Sequence, residues 1–167
     1  MKRIVPLALG AMLALGGCGL HPLYSGGGTG VVARTLASVE VANIPGRAGW
    51  LTRTALVDRL SAGKAGATAQ YRLEVELDDK ITGFGVRRDT AITRERRTLR
   101  ARYRLVDAAK GTVILDATAD ADTGIDVVGS EYATVAAEQT ALEHLSESIA
   151  DQIVTRVALF VTRSEKQ

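Results

Sequence analysis

Between Tyr71 and Asp122 apolar and charged residues alternate with period two in three successive runs. That period fits strands with one buried and one solvated face, and little else. In the first run Tyr71, Leu73, Val75 and Leu77 share a face, with Arg72, Glu74, Glu76 and Asp78 on the other. In the second, Leu99, Ala101, Tyr103 and Leu105 oppose Arg96, Thr98, Arg100, Arg102 and Arg104. The third, Thr112 to Asp122, follows Lys110-Gly111 and sets Val113, Leu115, Ala117 and Ala119 against Asp116, Thr118, Asp120 and Asp122. Gly83 and Gly85 mark the turn region between the first two runs, and the three together are expected to form an antiparallel meander.

A sheet with one apolar face needs a second layer, and the flanking segments supply it. Val31 to Ile44 is rich in β-branched residues and breaks at Pro45-Gly46, which reads as a further strand. Arg47 to Ala62 then reads as a helix whose apolar face is Trp50, Thr54, Val57 and Leu60, with Leu56 beside them and Gly63 and Gly66 at its end. Ser130 can cap a helix running from Glu131 to about Arg163, with Val135, Leu142, Leu145, Ile149, Ile153, Val157 and Phe160 on one side. The expected fold is α+β, a two-layer sandwich in which two helices cover one face of a four-stranded sheet, in the order β-α-β-β-β-α. Residues 31–167 would form this single domain.

The N-terminus places that domain in a compartment. Lys2 and Arg3 precede an apolar run from Ile4 to Leu15, too short to span a bilayer, which needs about 20 apolar residues in a helix. Gly16, Gly17 and Cys18 follow, so residues 1–17 read as an export signal of the lipoprotein type, cut before Cys18. Cys18, the only cysteine, would then carry the lipid; two or more acyl chains hold a protein on a membrane where one does not. The mature chain would have 150 residues, and with Lys2 and Arg3 gone its 19 basic residues balance 19 acidic ones. The basic pI belongs to the precursor and is no nucleic-acid signal. Residues 18–30, with Ser25-Gly-Gly-Gly-Thr-Gly30, read as the lipidated N-terminus and a flexible tether.

Few residues could carry chemistry. The chain has two histidines: His21 lies beside the lipid-bearing cysteine, and His144 sits on the long helix with no second His or Cys to complete a metal site. No nucleophile elbow, zinc-protease motif or phosphate-binding loop is present, so neither an enzyme nor a cofactor is expected. The conspicuous feature is arginine. Arg87, Arg88, Arg94, Arg96, Arg97, Arg100, Arg102 and Arg104 place eight guanidiniums within residues 87–104. A planar fork of donors pairs bidentately with phosphate or carboxylate, so an exposed row could bind a phosphorylated lipid head group. The same row would also lie between Glu74 and Glu76 on one neighbour and Asp116, Asp120 and Asp122 on the other. For Arg100, Arg102 and Arg104 that internal ladder is the favoured reading. For Arg87, Arg88 and Arg94, nearer the turn, both readings stay open; with Arg96 they are the candidate ligand residues.

The mature start Cys18-Gly19-Leu20-His21-Pro22-Leu23-Tyr24 resembles that of the LptE lipoproteins of lipopolysaccharide assembly, in their alphaproteobacterial form. It departs from the family pattern at Leu20, usually aromatic, and at Ser25, usually glycine. Val39-Glu-Val-Ala-Asn-Ile-Pro-Gly-Arg47, leading into Leu51-Thr-Arg-Thr-Ala-Leu56, is similar to the family's first strand and first helix. The resemblance implies a non-enzymatic lipoprotein anchored in the outer membrane, which plugs and helps assemble the LptD β-barrel and binds lipopolysaccharide. Arg87, Arg88, Arg94 and Arg96 would then offer contacts to lipid phosphates. Two other classes stay open at this point: an auxiliary lipoprotein of another envelope lipid-transport system, and an anchored envelope hydrolase, whose pocket of perturbed acid, base or nucleophile the residues do not display.

Overall fold

The computed structural model describes residues 30–60, 68–86, 92–127 and 129–164. The expected export signal, Cys18, the expected tether as far as residue 29, the glycines after the first long helix, Arg87 and Arg88 lie outside the described residues. The elements in order are α1 (Val31–Ala37), β1 (Val39–Val41), α2 (Gly46–Leu60), β2 (Tyr71–Val86), β3 (Ile92–Asp107), β4 (Val113–Asp126) and α3 (Glu131–Ser164). The four strands form one sheet in the order β1-β2-β3-β4. β2, β3 and β4 are the expected antiparallel meander, and β1 joins β2 in parallel through the α2 crossover.

The architecture is the expected α+β sandwich, but Gly83 and Gly85, expected in the turn region, lie within β2, where Gly83 pairs with Glu95 because the ladder runs on to Val86, and two further elements differ locally. The Val31–Ile44 strand shrinks to three residues and is preceded by the short helix α1. The reason is pairing. Val39 to Val41 lie opposite Tyr71 to Leu73, the first residues of β2, so anything before Val39 has no strand alongside. Its backbone groups are satisfied locally instead, beginning with Arg34 N–H donating to the Gly30 carbonyl at 3.0 Å. Leu36 from this turn is buried in the core.

The second difference is the buried face of α2. Gly49, Thr52, Ala55, Leu56 and Leu60 are buried, whereas Trp50 is 66% exposed and Thr54 faces solvent. The expected face followed bulk, but the helix packs where it is slimmest. A Cβ on Gly49 would overlap the carbonyl of Ile44, so the small residues sit where the chain comes closest to itself. The long helix behaves as its pattern predicts from Leu142 onward, with Ile149, Ile153 and Val157 fully buried. Ser130 caps it, its Oγ accepting from the Ala133 N–H at 3.4 Å. Val135, expected on the buried side, is exposed; this part of α3 is tied to the sheet by a polar contact, from Arg97 to the Glu138 carbonyl, and apolar burial begins at Ala141.

The core lies between the helices and the inner face of the sheet: Leu73, Val75, Leu99, Ala101, Tyr103 and Leu105 from the strands, Leu142 to Ala158 from α3, and Leu56 and Leu60 from α2. At about 3.3 Å per residue the 16-residue strands β2 and β3 are roughly 53 Å long, and only their proximal halves carry this apolar face.

Candidate functional site

The parity of the strands decides where each arginine goes. On β2, β3 and β4 even-numbered residues point away from the helices, and no described helix covers that face. It carries seven basic and seven acidic side chains, so the exposed face is close to neutral. Arg102 holds Asp116 with two hydrogen bonds, 3.3 and 3.0 Å. Arg104 reaches Glu76 at 3.3 Å and Glu74 at 3.5 Å. The guanidinium of Arg102 holds the Asp116 carboxyl below the usual carboxylate range, and its own pKa is raised by the same hydrogen bond. The internal ladder is therefore present for Arg102 and Arg104. Arg100 stands in register with Asp78 and Asp120 but makes no ion pair with either.

Arg94 and Arg96 belong to the distal half of β3, where the β2–β3 hairpin runs on past the apolar core. Arg94 donates to Asp126 at 2.8 Å, a hydrogen bond that raises its pKa. Arg96 lies 3.5 Å from Asp122, and its guanidinium rests 5.5 Å above the ring of Phe84. Both remain about 60% exposed, so each keeps donors facing water. The sequence reading paired neither arginine with an aromatic. Phe84 was legible only through register: it stands opposite Arg94 across the ladder, one diagonal step from Arg96. Ile81 and Phe84, 43% and 41% exposed, make this end of the hairpin amphipathic.

Arg97 has the opposite parity and a different role. It points inward, 11% exposed, and holds Asp79 through two hydrogen bonds of 2.9 and 2.6 Å. A third, 2.7 Å, goes to the carbonyl of Glu138 on α3. The Asp79 bonds raise the Arg97 pKa against the desolvation that burial imposes. This clamp joins hairpin and helix where apolar packing gives out. Sequence parity alone would have separated Arg97 from its neighbours.

His144 is exposed, and among the described residues no cluster of His, Cys, Asp or Glu could hold a metal. No described helix is long and apolar enough to cross a membrane. What the arrangement offers is a polar, self-neutralised sheet face and, toward the distal end of the described hairpin, two exposed ion-paired arginines beside the exposed ring of Phe84.

Residues 34–157 match the family model LptE, described as lipopolysaccharide-assembly. No curated protein matches the chain. Among solved structures, a lipoprotein from Caulobacter crescentus superposes with a TM-score of 0.67 at 28% identity, covering 81% of this chain and 98% of that one. A minor lipoprotein from Acinetobacter baumannii gives 0.58 at 15% identity, over 74% and 92% of the two chains. Rare lipoprotein B from Shewanella oneidensis gives 0.55 at 12%, over 76% and 96%. The last two share the fold.

Proposed function

This chain belongs to the LptE family of non-enzymatic lipopolysaccharide-assembly lipoproteins, and from that membership we propose that it sits in the outer membrane, anchored through Cys18, as the partner and plug of an LptD β-barrel. Lipopolysaccharide is then its ligand, bound at the hairpin by Arg94 and Arg96 with Arg87 and Arg88. The observation that carries the ligand assignment is the distal hairpin, where Arg96 lies over Phe84 and Arg94 beside it keeps free donors. A phosphorylated lipid presents anionic and apolar groups side by side, and this surface matches both. The plug assignment draws on the bare sheet face: a close-to-neutral row of ion pairs suits a polar barrel lumen, where an apolar face would not.

Two experiments test the reading. The lipidated protein, solubilised in detergent from its own envelope, is expected to bring down a large β-barrel protein near 1:1. Isolation alone, or with inner-membrane transporter subunits, would refute the LptD partnership. Replacing Arg87, Arg88, Arg94 and Arg96 by alanine should weaken binding of purified lipopolysaccharide while leaving the thermal midpoint close to that of the wild type. Undiminished binding would remove the hairpin from the proposal.

A further inference from the structure

On the helical side, α2 and α3 leave an open groove of about 270 Å³. Trp50, the only tryptophan in the chain, lines it and is 66% exposed; its carbonyl accepts from Thr54 Oγ1 at 2.9 Å, but its indole makes no hydrogen bond or ring contact among the described residues. Leu51 and Ala55 contribute an apolar floor. Ser146, from α3, also lines the groove; it is 1% exposed, and its Oγ has no hydrogen-bond partner. A buried hydroxyl without a partner is costly, so this atom is under-satisfied unless something enters the groove.

The charges around the groove are unbalanced. Arg59 is occupied, gripping both carboxylate oxygens of Asp151 at 2.5 and 3.2 Å. Glu147 and Asp58 make no ion pair among the described residues, and Glu143 has only Arg47 at 4.0 Å, both side chains more than half exposed. Glu143 and Glu147 are one turn apart on α3, so two carboxylates stand side by side next to an indole face and an unsatisfied hydroxyl. Like charges at this spacing repel, and in the groove only Arg59, already gripped by Asp151, offsets Glu147 and Asp58 at longer range.

We propose that the α2–α3 groove is a docking site for an arginine-bearing segment of a protein partner, the guanidinium held by Glu143, Glu147 and Ser146 Oγ and its stem laid on Trp50. Each part of the site matches one part of that side chain. The carboxylates accept the forked donors, the Ser146 oxygen accepts another, and the indole face attracts the cation. A second copy of this chain fits less well, because four of its five β3 outer-face arginines, Arg94, Arg96, Arg102 and Arg104, already hold acidic partners in their own ladder, leaving Arg100. The inference stands apart from lipopolysaccharide binding, which uses the other layer of the molecule.

Trp50 emission reads the groove directly, since no other tryptophan contributes. The full chain is titrated with a blocked, Trp-free peptide of alternating arginine and alanine, and separately with its citrulline counterpart. A saturable change in emission is expected with arginine and not with citrulline, weakened at least about tenfold in E143Q/E147Q, whose fold is checked by circular dichroism. No response, or an equal response in E143Q/E147Q, overturns the proposal. In the native envelope, a photo-crosslinking benzoylphenylalanine in place of Trp50 identifies the occupant. An adduct mapped within a few residues of an arginine on another protein supports the proposal. A lipid adduct, an adduct to a second copy of this chain, an arginine-free segment or no adduct refutes it.

Discussion

The two halves of the β2–β3 hairpin share strands, register and ladder, yet they are built differently. In the proximal half the inward positions are Leu73, Val75, Leu99, Ala101, Tyr103 and Leu105, all buried beneath the helices. In the distal half the inward positions are Asp79, Ile81, Gly83, Glu95 and Arg97. The backbone ladder is continuous through both, so hydrogen bonding does not distinguish them. The second layer does. One half is held by excluded water, the other by its ladder, ion pairs and the Arg97 clamp. A region held in this way keeps charged side chains in solvent without a core to disrupt, and that is where the candidate ligand arginines stand.

The sharpest test is to truncate matched positions. Leu99→Ala should cost about 2–5 kcal/mol in guanidinium denaturation, since a fully buried leucine leaves a cavity. Ile81→Ala, on an exposed distal residue, should stay within about 0.5 kcal/mol of the wild type. Equal losses would mean that the distal half has a core of its own. Arg97→Ala is expected next, at about 1.5–3 kcal/mol, because it breaks three charge-assisted hydrogen bonds in a largely buried setting. Hydrogen exchange should then quicken at residues 79–84 and stay slow at 71–77. A uniform acceleration would show that the clamp supports the whole sheet.

Arg102→Ala removes an equally well-formed pair from the solvated face and should cost much less than Arg97→Ala in the same denaturation measurement, salt weakening the difference further. The smallest effect concerns acid. The Asp116 carboxyl is held below its ordinary value of 3.8 by the Arg102 hydrogen bond. Its contribution to stability is therefore complete above that value, and it fades as the pH falls through the lower folded-state pKa. Asp116→Asn should flatten this part of the acid denaturation curve, and carboxyl NMR should show Asp116 titrating below a free aspartate. A normal Asp116 titration would mean that the pair does not form in solution.

Much of this molecule was legible in its residues. The period-two runs identified β2, β3 and β4, the faces they present and the acidic partners of Arg102 and Arg104, because strand parity is local and the pairing followed from short connections. The long helix and its Ser130 cap were equally local. Three features were not. Val31 to Ala37 has strand composition but is helical, because β2 begins too late to pair with it. The buried face of α2 follows Gly49, Thr52 and Ala55 rather than Trp50, because backbone approach outweighs side-chain bulk. The contrast within the hairpin depended on where the helical layer ends, a distance that no local pattern encodes. Propensity, parity and capping act over a few residues, and the sequence by itself determined what those reach. Which apolar face is covered, which arginine clamps a helix carbonyl and which groove leaves a tryptophan in water depend on contacts between residues far apart in the chain, and only the tertiary structure decided them.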